Sequence, residues 1–535
     1  MNLIPKPQKF EKKTGYCKID NLLVYYVDDN ISELKDTICS ILRIGLKREL
    51  EFKKGNIDFI YNPSVKKEGY ILDVSENSIV VQASTSVGAL WAAQTIRVLG
   101  EFDLEEPILE CCHIEDYPQY EWRGLLYDEC RHFFGKEATK KLLDMMSLHK
   151  LNVLHWHLTD DQGWRIEIKK YPLLTEIGSK RKATHINGWQ SLDVDQTPYE
   201  GFYTQEDIKE IINYAKNLGI MIVPEIDIPG HFSAAIAAYK NLACREMDCE
   251  VPWWFGGKIP FVQGIKYAGR PICVSKESSL NFVHDILDEV CDLFPAPYYH
   301  VGGDEAEMKE WKTCPDCQKK MKEKGFSNVA ELQCDFINGI QKYVAKKNKR
   351  LIGWNEVLKG DALDNDVLVQ YWTFNKDSKV KTHLKNGGDV ILSKHQFFYF
   401  DMPYSQYQLK NTYKFTPKAV GVPKEHYKQV KGVEGAMWTE WIPDVYKFEF
   451  HLYPRFEALA EVAWNQNGKD YTEFLARLEK FKPILNKHKI NYAENEVCNS
   501  MGLFKRARYR ACWYNGDQRL ELKENDLIKQ SKKDI

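Results

Sequence analysis

Arg123-Gly124-Leu125-Leu126-Tyr127-Asp128 opens a rhythm in which short apolar runs alternate with segments of helical periodicity for about 340 residues. The apolar runs end near Asp128, His157, Glu225, His300, Trp354, Tyr371, Leu392 and Trp438. Helical spacing fills several of the gaps, at 136–149, 205–218, 276–293 and 329–346. Eight strands alternating with helices predict an α/β chain that closes into a (β/α)8 TIM barrel. An open doubly wound sheet accommodates eight strands over this length less well.

A different pattern precedes the barrel. Tyr70, Leu72 and Val74 alternate with polar partners, Glu76-Asn77-Ser78 turns the chain, and Ile79, Val81 and Ala83 resume the alternation. Such a pattern is a hairpin with one buried face. Leu34, Ile38, Ile41, Leu42 and Leu46 recur at helical spacing, and residues 86–99 form a second helix. Two helices covering one antiparallel sheet make a small α+β domain, with no catalytic constellation of its own. After about residue 465 the strand–helix alternation stops; 471–487 reads as helix and the rest as a polar tail. The predicted organisation is therefore a supporting domain at 1–117, a catalytic barrel at 118–465, and a C-terminal helical extension with a polar tail at 466–535. The basic residues Lys505, Arg506, Arg508 and Arg510 read as a solvated face.

Composition narrows the function classes. A chain of 535 residues with a net charge of −2 carries no long-range field for nucleic acid, an anionic membrane surface or a polyanionic substrate. No apolar run follows a basic start at the N-terminus, and no stretch is long enough to span a membrane, so the expected compartment is the cytoplasm. The 14 cysteines are then expected as reduced thiols. Cys314-Pro315-Asp316-Cys317 is half of a zinc site or a redox pair, but no second Cys-x-x-Cys completes a tetrahedral set. Ordinary structural thiols are the expectation there.

Candidate chemistry concentrates where the predicted strands end. His300-Val301-Gly302-Gly303-Asp304-Glu305 brings two glycines and two adjacent carboxylates to the end of the fourth strand. Consecutive extended residues point to opposite sides, so Asp304 and Glu305 are expected to do different jobs. His155-Trp156-His157 with Asp160, Glu225 to His231, Trp354-Asn355-Glu356, Trp372, Tyr399-Phe400-Asp401 and Trp438-Thr439-Glu440 end other strands. Carboxylates set among tryptophans suit a compact polar ligand with apolar faces, such as a sugar ring. Cleavage of a glycosidic bond requires an acid for the leaving oxygen, and apolar surroundings that raise a carboxyl pKa make Glu305 the candidate. A rival reading takes His155, His157, His231 and His300 as ligands of a hydrolytic zinc ion.

The block at 300–305 resembles the signature of the glycoside hydrolase family 20 β-N-acetylhexosaminidases. So do, in order, Arg123-Gly124 with Asp128 and Arg131-His132-Phe133-Phe134, the stretch 155–165, Asp227 to His231, Trp354-Asn355-Glu356, Tyr399-Phe400-Asp401 and Trp438-Thr439-Glu440. The resemblance implies a retaining exo-glycosidase that removes terminal β-linked N-acetylhexosamine from an oligosaccharide or glycoconjugate, without metal or cofactor. The nucleophile in this family belongs to the substrate. It implies Glu305 as general acid/base and Asp304 as the group that orients and stabilises the 2-acetamido group. Trp354, Trp372 and Trp438 are implied as an apolar box around the acetamido methyl, with Tyr399 donating to its oxygen. Arg123, Asp401 and Glu440 are implied as sugar-hydroxyl ligands, and Asp160 and His231 as supports near the acid. The long aromatic loop at 232–270 varies within the family and leaves the leaving-group subsite open.

Overall fold

The computed structural model describes residues 2–101, 109–256 and 269–533. Eight parallel strands form a closed barrel: Trp122–Asp128, Val153–His157, Met221–Glu225, Tyr298–His300, Arg350–Trp354, Leu368–Tyr371, Val390–Leu392 and Val430–Met437. Each ends within one residue of its predicted end. The first two are buried along their whole length, as expected of parallel strands covered on both faces. The register is decisive for function: Asp128 pairs with His157, His157 with Glu225, and Glu225 with His300. Four strand ends thus place polar side chains at one level, the C-terminal mouth of the barrel.

Amphipathic helices wrap the outside, and their start points are written locally. Thr204 caps Gln205–Asn217 through a capping box with Asp207, Asn328 caps Val329–Ala345, and Asp377 caps Ser378–Lys385. In each case the side-chain oxygen satisfies a backbone N–H that the helix leaves unpaired.

The N-terminal unit differs from expectation in one respect. Its hairpin forms as predicted, with Tyr70–Val74 antiparallel to Ile79–Ala83, and its helices run Lys35–Leu46 and Ser86–Glu101. The sheet, however, has seven strands and is mixed, because Ile57–Tyr61 pairs in parallel with both Ile79–Ala83 and Val24–Val27. The hairpin strand at 70–74 lies on the far side of 79–83, which leaves that strand's other edge free to take a parallel partner. Asp116 joins this sheet to the barrel by accepting from Tyr70 Oη at 2.6 Å, Lys150 Nζ at 3.0 Å and Trp464 Nε1 at 2.8 Å.

Beyond the barrel, Tyr471–Lys487 is helical as expected. The polar tail is not loose: Leu503–Asn515 and Leu520–Lys533 are also helices. Glu521 accepts from the backbone N–H groups of Tyr404 and Ser405, each at 2.8 Å, and Trp513 is buried beside Phe255 and Trp441. Among the described residues no helix is long and apolar enough to cross a membrane.

Candidate active site

The floor of the mouth is a buried histidine–carboxylate network. Glu225 accepts from His157 Nδ1 at 2.5 Å and Trp354 Nε1 at 2.9 Å, and lies 3.1 Å from His155 Nε2 and 2.9 Å from His300 Nδ1. The second nitrogen of His155 faces Glu434 at 2.8 Å, and that of His157 faces Asp160 at 2.9 Å. Burial opposes the charge on His155, yet Glu434 and Glu225 outweigh it and raise its pKa to about 9. At His300 burial prevails and lowers the pKa to about 4. The histidines that suggested a hydrolytic zinc ion are thus directed at carboxylates, and they position the layer above them.

That layer is a cavity lined by Asp160, His231, Asp304, Glu305, Trp372, Tyr399, Asp401, Trp438 and Glu440, together with Arg131, Asp227, Trp189, His395, Met402 and Trp441. Nine of the eleven sequence-predicted residues meet here. A tenth, Trp354, is 1% exposed and stands behind the wall, its ring 5.9 Å from that of Trp438. Trp372 and Tyr399 stack at 5.8 Å, and Glu356 holds Trp372 by accepting from its Nε1 at 2.7 Å.

Arg123 is the correction. It is the second residue of the first strand and lies at the opposite end of the barrel from the mouth. Its fully buried guanidinium donates to Glu68 Oε2 at 2.6 Å, to the Tyr120 carbonyl and to the Lys150 carbonyl. It binds the N-terminal unit and cannot reach a ligand in the cavity. Arg131 occupies the place expected of Arg123: Nη2 reaches Asp160 Oδ2 at 2.8 Å, Nη1 donates to Asp128 Oδ2 at 3.2 Å, and Glu440 lies 3.9 Å away. The sequence signal for Arg131 was its position beyond the strand end, where barrel sites lie, rather than near the strand start.

The two adjacent carboxylates have different surroundings, in a sense opposite to expectation. Burial, reinforced by the neighbouring Asp227, pushes Asp304 well above the usual carboxylate range. Its Oδ1 is buried and has no hydrogen-bond partner among the described residues. Glu305 has a side chain 61% exposed, and its pKa is lowered by His231, whose Nε2 is 3.6 Å from Oε2. Burial disfavours a charged His231, but the Asp160 carboxylate 3.3 Å from Nδ1 overcomes that and holds its pKa well above 6.5.

Backbone geometry makes this arrangement possible. Gly302 and Gly303 have φ of +66° and +89°, and a Cβ on Gly302 would lie 1.8 Å from Asp227 Oδ1. Asp227 in turn accepts from the Gly303 N–H at 3.1 Å, and burial raises its pKa to about 7. Glu305 and His231, which face each other, both adopt left-handed conformations, with φ of +43° and +48°. Non-glycine residues held there concentrate at functional sites. Six lining residues were left out by sequence reasoning; of these, Asp227 and Arg131 sat inside motifs whose neighbours were chosen instead.

A closed barrel that gathers carboxylates and aromatic rings at its C-terminal mouth defines the class as a barrel glycoside hydrolase. Comparison with known proteins gives the family. The profile of the glycosyl hydrolase family 20 catalytic domain matches residues 120–467, and that of the family's domain 2 matches 1–117. The chain belongs to glycosyl hydrolase family 20. It is 32% identical to a beta-hexosaminidase of Porphyromonas gingivalis over 92% of its length, and spans 64% of that relative. A Vibrio furnissii beta-hexosaminidase is 31% identical, the match covering 86% of this chain and 76% of the relative. The solved structure of a family 20 exo-β-N-acetylglucosaminidase from Vibrio harveyi, in complex with N-acetylglucosamine, is 30% identical with a TM-score of 0.81. It covers 92% of this chain and 78% of its own.

Proposed function

We propose that the protein is a β-N-acetylhexosaminidase that releases terminal, non-reducing β-linked N-acetylglucosamine or N-acetylgalactosamine from oligosaccharides or glycoconjugates with net retention. The observation that carries the reading is the Asp304 carboxylate: buried, orphaned at Oδ1, and set beside the Trp372, Tyr399 and Trp438 wall. An acetamido group supplies what that place needs, an N–H donor for the carboxylate and a methyl for the aromatic wall.

In this mechanism the acetamido carbonyl oxygen attacks the anomeric carbon while Glu305 protonates the leaving oxygen, forming an oxazolinium intermediate. Water, deprotonated by Glu305, then opens it. Asp304 accepts the acetamido N–H and stabilises the positive charge that develops, an interaction stronger in the transition state than in the ground state. Intramolecular attack also removes much of the entropic cost of bringing a nucleophile to carbon. Arg131, Asp401 and Glu440, which line the same cavity, bind ring hydroxyls in this reading. Substrate that covers Glu305 excludes water from it, which favours the protonated form that His231 disfavours in the open cavity.

The test is release of nitrophenol from β-N-acetylglucosaminide, β-N-acetylgalactosaminide and plain β-glucoside, together with inhibition by a thiazoline analogue of the intermediate. Turnover of the N-acetyl sugars alone, with the thiazoline binding far more tightly than product sugar, is the expected result. Comparable rates on the glucoside would overturn substrate assistance.

A further inference from the structure

None of the 14 cysteines forms a disulfide, yet four of them converge outside the catalytic cavity. The Sγ atoms of Cys244, Cys273, Cys314 and Cys317 all lie within 4.8 Å of one another. Cys273 is 3.8 Å from both Cys314 and Cys317, and Cys244 is 3.9 Å from Cys317. A zinc ion with Zn–S bonds of about 2.3 Å separates its sulfur ligands by about 3.8 Å along a tetrahedral edge. A disulfide needs sulfurs about 2.05 Å apart. We propose that these four cysteines form a structural, all-thiolate site for one zinc ion, which clamps the loop after the third barrel strand to the loop that carries Asp304 and Glu305.

A second feature favours thiolates over packed thiols. Cys314 is the N-cap of the helix Pro315–Lys324 and Cys317 lies in its first turn, where helix dipole and free N–H groups stabilise anions. Binding converts four thiols and Zn²⁺ into a tetrathiolate of net charge −2, with four protons passing to solvent and no change of oxidation state. Lys276 Nζ donates to the Ala243 carbonyl at 2.7 Å, next to Cys244, and Lys320 Nζ, paired with Asp335 at 2.9 Å, donates to the Val274 carbonyl at 3.4 Å, next to Cys273.

The neighbourhood shows what the clamp would hold. Trp311 Nε1 donates to the Ile272 carbonyl at 3.1 Å, and Arg270 pairs with Glu310 at 3.0 Å, so the two loops are already joined beside the cysteines. Glu305 lies on the chain between the fourth barrel strand and this seam, in a strained conformation that needs a fixed loop. Cys244 and Cys273, which complete the set of four, come from separate turns of the fold rather than from a second Cys-x-x-Cys.

Elemental analysis of the full chain, produced with zinc and dialysed, decides the matter, alongside thiol titration and intact mass. About one zinc per chain is expected, lost in Cys314→Ser and Cys317→Ser but kept in Cys512→Ser. Should the ligand variants fail to fold, replacing zinc by cobalt in the unaltered chain must give thiolate-to-cobalt charge-transfer absorption. Metal-free protein with four reactive thiols overturns the proposal. So does a mass lower by four hydrogens, which reports two disulfides, and so does stoichiometric iron in place of zinc.

Discussion

His231 and Glu305 form the contact on which the proposed mechanism turns. The imidazolium, kept charged by Asp160, favours the ionised form of Glu305, while the leaving oxygen needs the protonated one. In the free enzyme the reactive form therefore gains population as pH falls. Replacing His231 with Gln removes the positive charge, raises the Glu305 pKa and moves the alkaline limb of the kcat/KM profile upward; a limb that stays in place would uncouple the two residues. Glu305→Gln is expected to lower turnover of substrates with poor leaving groups by about 10²–10⁴-fold, and of nitrophenyl glycosides by less, since acid assistance matters least where the leaving group is already good. Asp304→Asn keeps the shape but not the charge, and a loss of about 10²–10³-fold in the first chemical step is expected, read by pre-steady-state release of nitrophenol.

At the scale of elements, the site depends on a strand that stops early. Tyr298–His300 has only three residues, and the glycines after it turn the chain under Asp227. An alanine at Gly302 meets both a left-handed backbone, worth about 1–2 kcal/mol, and a carboxylate within bonding distance. Gly387, with φ of +92° and nothing within 4 Å of an added Cβ, separates the two costs. Gly387→Ala should lose about 1–2 kcal/mol in denaturant unfolding and keep full activity, whereas Gly302→Ala should lose more stability and most of its activity. Equal effects from the two would show that the approach of Asp227 to this turn is unimportant.

Across the whole molecule, supports far from the cavity hold its shape. Arg123 fastens the N-terminal unit to the barrel base through Glu68 and two carbonyls. Removing one partner of such a buried pair costs about 3–5 kcal/mol. Arg123→Ala should therefore unfold at lower denaturant with KM unaltered; a raised KM at unchanged stability would return Arg123 to the substrate. At the other end, Trp513 backs Trp441, which lines the cavity, and Tyr514 Oη donates to Gln406 at 2.9 Å. The described part of the long aromatic loop joins the same packing: Trp254 stacks on His185, and Phe255 lies 5.6 Å from Trp441. The stretch 257–268, which belongs to that loop, lies outside the described residues.

Period and placement in the sequence determined the barrel, because parallel strands buried on both faces are continuous apolar runs, and the polar residues at their ends can only face the mouth. Asp304, Glu305 and the aromatic wall were legible for that reason. Arg123 was misplaced because one strand presents side chains to both ends of the barrel, and the distance along it decides which end a residue serves. The mixed sheet, the helices Leu503–Asn515 and Leu520–Lys533, and the approach of Cys244 and Cys273 to Cys314 and Cys317 were not legible. Each depends on partners distant in sequence, and only tertiary packing brings those together. The directions in which Asp304 and Glu305 shift were likewise decided there, since burial and the distance to a neighbouring charge, not residue type, set the pKa of a carboxyl group.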